Sequence, residues 1–355
     1  MTTTDRVKLG TKKPAPVRPG RLGGVGAGVI LAFILVGLFI LSFAVGRYPI
    51  SPADVLRVLV SHIVPIEHTW PNILDTVVMQ VRLPRIMAAM LVGASLAVAG
   101  TSFQGLFRNP LVSPDILGVS TGAGFGAALG ILLSGNSAVI QVLAFTSALL
   151  AVGISYGVSR VVKGNAVLSL ILAGMAIASL FGALLSLMKY VADPVNQLPA
   201  IVYWLMGSLA SVGTRDLAFA AIPMLVGIIV LLLIRWRLNV LAMGEEEAMA
   251  LGVDTGRLRA IVIVSCTMMT ASSVCISGTI GWVGLVIPHV GRMLVGPNHK
   301  VLLPVSLLLG AVYLLLIDDI ARVAASVEIP IGVLTAIVGV PFFIYLLSRS
   351  GRGWA

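Results

Sequence analysis

VGAGVILAFILVGLFILSFAVG, from Val25 to Gly46, carries no charged side chain and exceeds the roughly 20 apolar residues that an α-helix needs to cross about 30 Å of hydrocarbon. A signal-peptide core is shorter and stands alone, whereas this run is followed by many more of its kind, so it reads as a first transmembrane helix. Before it, residues 1–24 (MTTTDRVKLGTKKPAPVRPGRLGG) are basic, rich in Pro and Gly and free of hydrophobic periodicity, the composition of a disordered tail. Beyond it the same chemistry fills the chain: 58% of the 355 residues are hydrophobic and 11% charged, where a soluble domain carries about a quarter charged. The solvent for most of this chain is lipid, which excludes a cytosolic enzyme.

The same length criterion places ten helices, at about 25–46, 84–107, 114–134, 138–159, 166–190, 215–235, 259–279, 281–296, 301–320 and 331–348. The fold class is therefore all-α, a polytopic membrane bundle over 25–349, with a short tail at 350–355. Alternating the connections from a cytoplasmic N-terminus collects seventeen Lys and Arg on the inner side and seven on the outer. This is the positive-inside bias and puts both termini in the cytoplasm. Two polar stretches stand out. The extracytoplasmic stretch 47–83 contains PADVLRVLVSHI, apolar at helical spacing, which predicts a short helix on the membrane surface. The stretch 236–258 (WRLNVLAMGEEEAMALGVDTGRL) is the longest cytoplasmic loop and a natural docking surface.

What the spans lack is as informative. A charge at the bilayer centre costs at least about 2.5–3.5 kcal/mol and usually marks an ion or proton pathway. Yet no Asp, Glu, Lys or Arg occurs between Ile116 and Ser159, between Ala166 and Met188, between Leu217 and Ile234 or between Ala260 and Ile280. A proton-coupled carrier needs such a group; a sodium-coupled one needs broken helices, for which only the glycines leave room. Runs such as GVSTGAGFGAALG, Gly118 to Gly130, have the small-residue spacing of close helix packing. There is no G-x-x-x-x-G-K-[ST] loop for ATP, so pumping requires another subunit. The net charge of +10 is spread singly between apolar runs, which does not describe a nucleic-acid surface. Cys266 and Cys275 have no CxxC spacing and read as packing residues, and no metal site is expected. His289 and Arg292 of PHVGR lack a second ligand at helical spacing and read as interface anchors, as does His299 in what reads as a loop.

Several stretches resemble one family, the FecCD-type permeases of ABC importers for iron–siderophores, haem and cobalamin. They are RLPRIMAAMLVGASLAVAGTSFQGLFRNPLVSPDILGVSTGAG from Arg82, GEEEAMALGV from Gly244, GTIGWVGLVIPHVGRMLVGPNHKVLLP from Gly278, then DDIAR, EIPIG and VGVPFF, in the family's order between residues 82 and 347. The resemblance implies a type II ABC importer permease, working as a homodimer with two ATPase subunits and an extracytoplasmic substrate-binding protein in a bacterial or archaeal plasma membrane. ATP and Mg would sit on the ATPase, with no cofactor on this chain.

Site residues follow on the same terms. Glu245, Glu246 and Glu247 lie on the first turn of a short helix, where the helix dipole stabilises carboxylates, and can face cations on a partner. With Gly244 they form the expected ATPase dock, with Ala248, Leu251 and Gly252 as its apolar face; the alternative is a solvated capped helix. The resemblance implies that the turns Asn109–Pro110–Leu111 and Gly164–Asn165 narrow the cytoplasmic end of the pathway, although Asn-Pro is also a plain helix stop. Arg57, Arg82 and Arg322 are expected to meet a binding protein, or to be solvated surface arginines. A charge-free wall suits a large ligand handed over by its binding protein. Iron(III)–siderophore is the favoured cargo, with cobalamin, haem and oxyanions as alternatives, and a carrier or channel working without ATP as the rival of another class.

Overall fold

The computed structural model describes residues 23–350 apart from Arg47, Ile66, Thr69 and 163–165; of the predicted tails at 1–24 and 350–355, residues 1–22 and 351–355 lie outside the described residues, as do Gly164 and Asn165, while Gly24 begins the first helix and Ser350 ends the last. Among the described residues there is no strand. Each of the ten predicted spans is a helix, and the chain runs α1 (Gly24–Ala44), α2 (Pro52–Ser61), α3 (Asn72–Asp75), a π turn (Thr76–Arg82) and α4 (Leu83–Phe107). A 3-10 turn (Pro114–Leu117) leads into α5 (Val119–Leu133), α6 (Ser137–Val161), α7 (Ala166–Val191), α8 (Gln197–Met206) and α9 (Thr214–Met243). Then come α10 (Glu245–Ala250), α11 (Thr255–Ser277), α12 (Val283–Val295), α13 (His299–Val323) and α14 (Ile331–Ser350). Among the described residues, seven helical stretches are long and apolar enough to span: α1, the α3–α4 stretch Asn72–Phe107, α6, α7, α9, α11 and α13. The predicted spans α5 and α12 are shorter; at about 1.5 Å per residue α12 reaches only about 20 Å.

Burial sorts these helices. The apolar windows of α3–α4, α11 and α13 are 83%, 78% and 61% buried, whereas those of α1, α6, α7 and α9 are 22–28% buried. The first three form the heart of the bundle and the others present apolar faces outward. Since lipid supplies no hydrophobic force between helices, close backbone approach must hold them, and that is where the glycines sit. A Cβ on Gly93 would collide with the Gly310 carbonyl, and one on Gly310 with the Gly93 carbonyl, fixing the α4–α13 crossing. Gly100 meets the Gly284 carbonyl where α4 crosses α12, and Gly126 the Leu143 carbonyl where α5 crosses α6. The small-residue run of α5 is thus a packing stripe, as its spacing predicts.

Two predicted loops are largely helix. PADVLRVLVS is α2, with Ser51 accepting from the Asp54 N–H as its cap. However, residues 72–83 of the outer stretch continue α4 outward. Pro84 would break an α-helix there, but the preceding turn widens to a π register in which the Leu83 N–H donates to the Val78 carbonyl, five residues back. Likewise α9 runs through 236–243 because Leu238 and Leu241 are buried in the core, so the long inner loop shrinks to α10 and its flanking turns. Helix α8 lies outside the ten expected spans.

Candidate translocation pathway and coupling end

At the end of the bundle that carries α2, the motifs R-L-P-R, DDIAR and EIPIG meet in one network of charges. Asp318 of α13, with no exposed surface, accepts from Arg85 Nε of α4 at 3.0 Å and lies 3.2 Å from Arg322 Nε. Arg85 also pairs with both oxygens of Glu328, at 3.0 and 2.9 Å, on the link into α14. Arg322 pairs with Asp319, which accepts from Ser42 Oγ at 2.6 Å, and donates to the Ser42 and Val45 carbonyls at 3.2 and 3.0 Å. Arg82 donates to the Phe43 and Tyr48 carbonyls. The last carbonyls of α1 have no partner within their own helix, and two guanidinium groups supply it. Arg82 and Arg322 are each 5% exposed, which corrects their assignment to a docking surface: they are internal braces. Arg57 is exposed on α2 and, among the described residues, pairs only with Asp54, at 3.3 Å.

Between α11 and α12 the helical path is interrupted. Helix α11 stops at Gly278, whose φ of +66° is a conformation that only glycine adopts without strain, and the chain crosses to α12 through Trp282, at φ +68°. A bulky residue held in that region is a strained element of the kind that collects at functional sites. The free backbone groups find partners across the break: Ser208 N–H donates to the Ser277 carbonyl at 2.8 Å, Ile331 N–H to the Gly207 carbonyl at 2.9 Å, and Thr279 Oγ1 to the Leu205 carbonyl. The ends of α8 and α11 and the start of α14 are therefore tied together through Gly207, Gly278 and Gly332, where any Cβ would strike a neighbouring carbonyl. Irregular backbone inside a membrane bundle survives only where protein covers it or a cavity adjoins it. Here a cavity of about 530 Å³ adjoins it, lined by Met206, Thr279, Trp282, Gly332, Ile337 and, from the 3-10 turn, Asp115 and Ser120. Trp282 is wedged against Gly339 and stacks edge-on with Phe343, ring centroids 6.1 Å apart. Asp115 escaped the sequence reading because it sits one residue outside the charge-free stretch, beside a proline.

At the opposite end α10 follows Gly244, whose φ of +147° makes the sharp turn from α9. Glu246 and Glu247 are exposed, while Glu245 pairs with Arg259 of α11. Ala248 has no exposed surface and packs into the core, which removes it from the expected apolar face; Met249 and Leu251, 57% and 64% exposed, stand there with Gly252. Gly244 and the three glutamates line a cleft of about 470 Å³ with Arg108 at the end of α4 and Ala166 at the start of α7. The short helix and the flanks of both turns expected to narrow the pathway thus share one space. Asn109 caps its own turn, accepting from the Leu111 N–H at 2.9 Å; Pro110 is half-buried and Leu111 exposed. Asn109, Pro110 and Arg108 border a second cleft with Arg292 and His299. His299 is not in a loop but is the buried first residue of α13, its Nδ1 3.1 Å from Asn239 Oδ1.

The FecCD transport family profile matches residues 34–349, nearly the whole described chain. The chain belongs to the FecCD transport family. Among FecCD relatives, the molybdate import system permease protein MolB of Haemophilus influenzae is 43% identical over 90% of this chain and 96% of its own. A protein of Helicobacter pylori named as a probable iron chelatin transport system permease is 42% identical over 78% and 84%. A solved metal-chelate type ABC transporter in an inward-facing conformation superposes with a TM-score of 0.81 at 40% identity, covering 91% of this chain and 98% of that one. The FecCD fold is therefore the all-helical bundle expected from span length, including its short, interrupted helices.

Proposed function

We propose that this chain is the membrane-spanning permease subunit of an ABC importer that carries a metal chelate, an iron(III)–siderophore, into the cytoplasm. The observation that carries the reading is the cavity at the interrupted helices, inside a bundle whose FecCD relatives include a protein named as a probable iron chelatin transport system permease. A cavity bordered by Met206, Trp282 and Ile337 offers an apolar, weakly binding wall suited to a large ligand delivered by another protein. Among the described residues no group of three or more His, Cys, Asp or Glu is arranged to hold a metal ion, and the sequence contains no G-x-x-x-x-G-K-[ST] loop.

The parts fit one mechanical sequence. A soluble ATPase docks on Glu246, Glu247, Met249 and Leu251 at the cytoplasmic end. Its movement is transmitted through Glu245 to Arg259 and along α11, a single helix from Thr255 to Ser277, to the break at Gly278. Displacing that break moves Thr279 and Trp282 against α8 and α14 and opens or closes the cavity. The turns around Asn109–Leu111 and Gly164–Asn165 form the inner constriction, because the cleft beside α10 reaches their flanks. A substrate-binding protein meets the α2 end, where Arg57 is an exposed cation, and a second copy of the chain completes the pathway.

Uptake of ⁵⁵Fe-labelled ferric siderophores in cells with and without the gene tests the cargo. Energy-dependent accumulation lost on deletion and restored by the intact chain supports the reading. Unchanged iron uptake together with lost molybdate uptake refutes the siderophore assignment.

A further inference from the structure

Among the described residues, Asp115 is the one acidic residue bordering the cavity at the α11–α12 break, and none of those lining that cavity is basic. Asp115 is a half-buried residue on the 3-10 turn between α4 and α5. Ser120 Oγ donates to Oδ1, and among the described residues no donor meets Oδ2. Gly118, at φ +85°, lets the turn close tightly enough to bring Asp115 and Ser120 together. Gly284 packs against Pro114 and, two residues beyond Trp282, ties the turn to the strained start of α12. A carboxylate bordering an otherwise uncharged cavity is costly unless it meets a partner there, and this one keeps an oxygen that can accept a further hydrogen bond.

We infer that Asp115 contacts the cargo through Oδ2 and selects chelates that present N–H donors or positive charge, against free oxyanions and polycarboxylate chelates. This rests on the transport reading above and narrows its substrate class. A hydroxamate siderophore with amide or ammonium groups, or another amide-rich neutral chelate, would offer the missing donor. An anion in this cavity would face a carboxylate with no cation beside it.

The test uses the complete transporter, permease with its ATPase and binding protein, in proteoliposomes. Four probes are used: ferrioxamine B (ammonium-bearing), cobalamin (amide-rich), ferric citrate and molybdate. The readout is the ratio of the faster chelate of the first pair to the faster anion of the second within one preparation, which cancels differences in folded protein. Wild type is expected to favour the donor-bearing pair at least tenfold. Asp115→Asn, which keeps the oxygen that accepts from Ser120, should lower that ratio at least tenfold, and Asp115→Glu should retain most of it. A ratio unchanged in Asp115→Asn, or a wild type that prefers citrate or molybdate, overturns the assignment. Uptake without ATP overturns the transport reading instead, with the ratio still readable. Transport of none of the four overturns the cargo class, and ATP hydrolysis stimulated by the binding protein then shows that the transport reading stands.

Discussion

Asp318 shows how a single side chain can fix several helices. Deprived of water, it is held by Arg85 from another helix and Arg322 from the next turn of its own, and through Arg85 it reaches Glu328. Removing one member of a buried ion pair leaves an uncompensated charge and costs about 3–5 kcal/mol. Arg85→Ala is therefore expected to lower the thermal unfolding midpoint in detergent sharply, and Asp318→Ala comparably. Arg57→Ala, which removes an exposed pair worth at most about 1 kcal/mol, should leave the midpoint nearly unchanged. Equal shifts for Arg57→Ala and Arg85→Ala would show that the network is not a brace. The glycines act by the opposite means, through absence of a side chain. Gly100→Ala should depress the yield of folded protein because its Cβ would meet the Gly284 carbonyl, whereas Gly153→Ala, with open space around it, should be neutral. Monodispersity on size exclusion distinguishes the two.

The elements divide into those legible in the sequence and those that are not. Long apolar runs announce α1, α6, α7, α9, α11 and α13 because span length is set by the bilayer alone. The amphipathic spacing of PADVLRVLVS announces α2. Helix α8 stays hidden because its QLPAIVYWLM is half a span long and follows the polar ADPVN; its existence depends on tertiary contacts with Gly278 and Gly332. Arg82 and Arg322 look like surface residues because they adjoin the outer connections in sequence. They are buried because the exposed carbonyls at the end of α1 need donors, a demand that no local pattern displays. At the coupling end the acidic turn of α10 is legible from GEEEA, but which glutamate is free is not: Glu245 is engaged by Arg259. Replacing Glu246 and Glu247 with lysine should weaken ATPase association at least tenfold by co-purification or surface plasmon resonance, with the bundle's unfolding midpoint unchanged. Association at wild-type strength would place the dock elsewhere.

At the scale of the whole molecule, the basic residues assign a side of the membrane to each end of the bundle. The α10 end should face the cytoplasm and the α2 end the exterior, following the inner excess of Lys and Arg. In chains where Cys266 and Cys275, both buried, are left in place, Met249→Cys should react with a membrane-impermeant maleimide only after the cytoplasmic face is opened, and His62→Cys from the outside of intact cells. The reverse pattern would invert the topology and the direction of transport with it. In the proposed function the motor is another subunit: α11 runs from the α10 end to the cavity, and the sequence carries no G-x-x-x-x-G-K-[ST] loop. Reconstituting the purified chain in liposomes, with the binding protein and loaded ferric siderophore outside and ATP inside, tests this most directly. No accumulation by the chain alone and ATP-dependent accumulation once the ATPase subunit is added are the predicted results; accumulation at the same rate without ATPase or ATP would contradict the account.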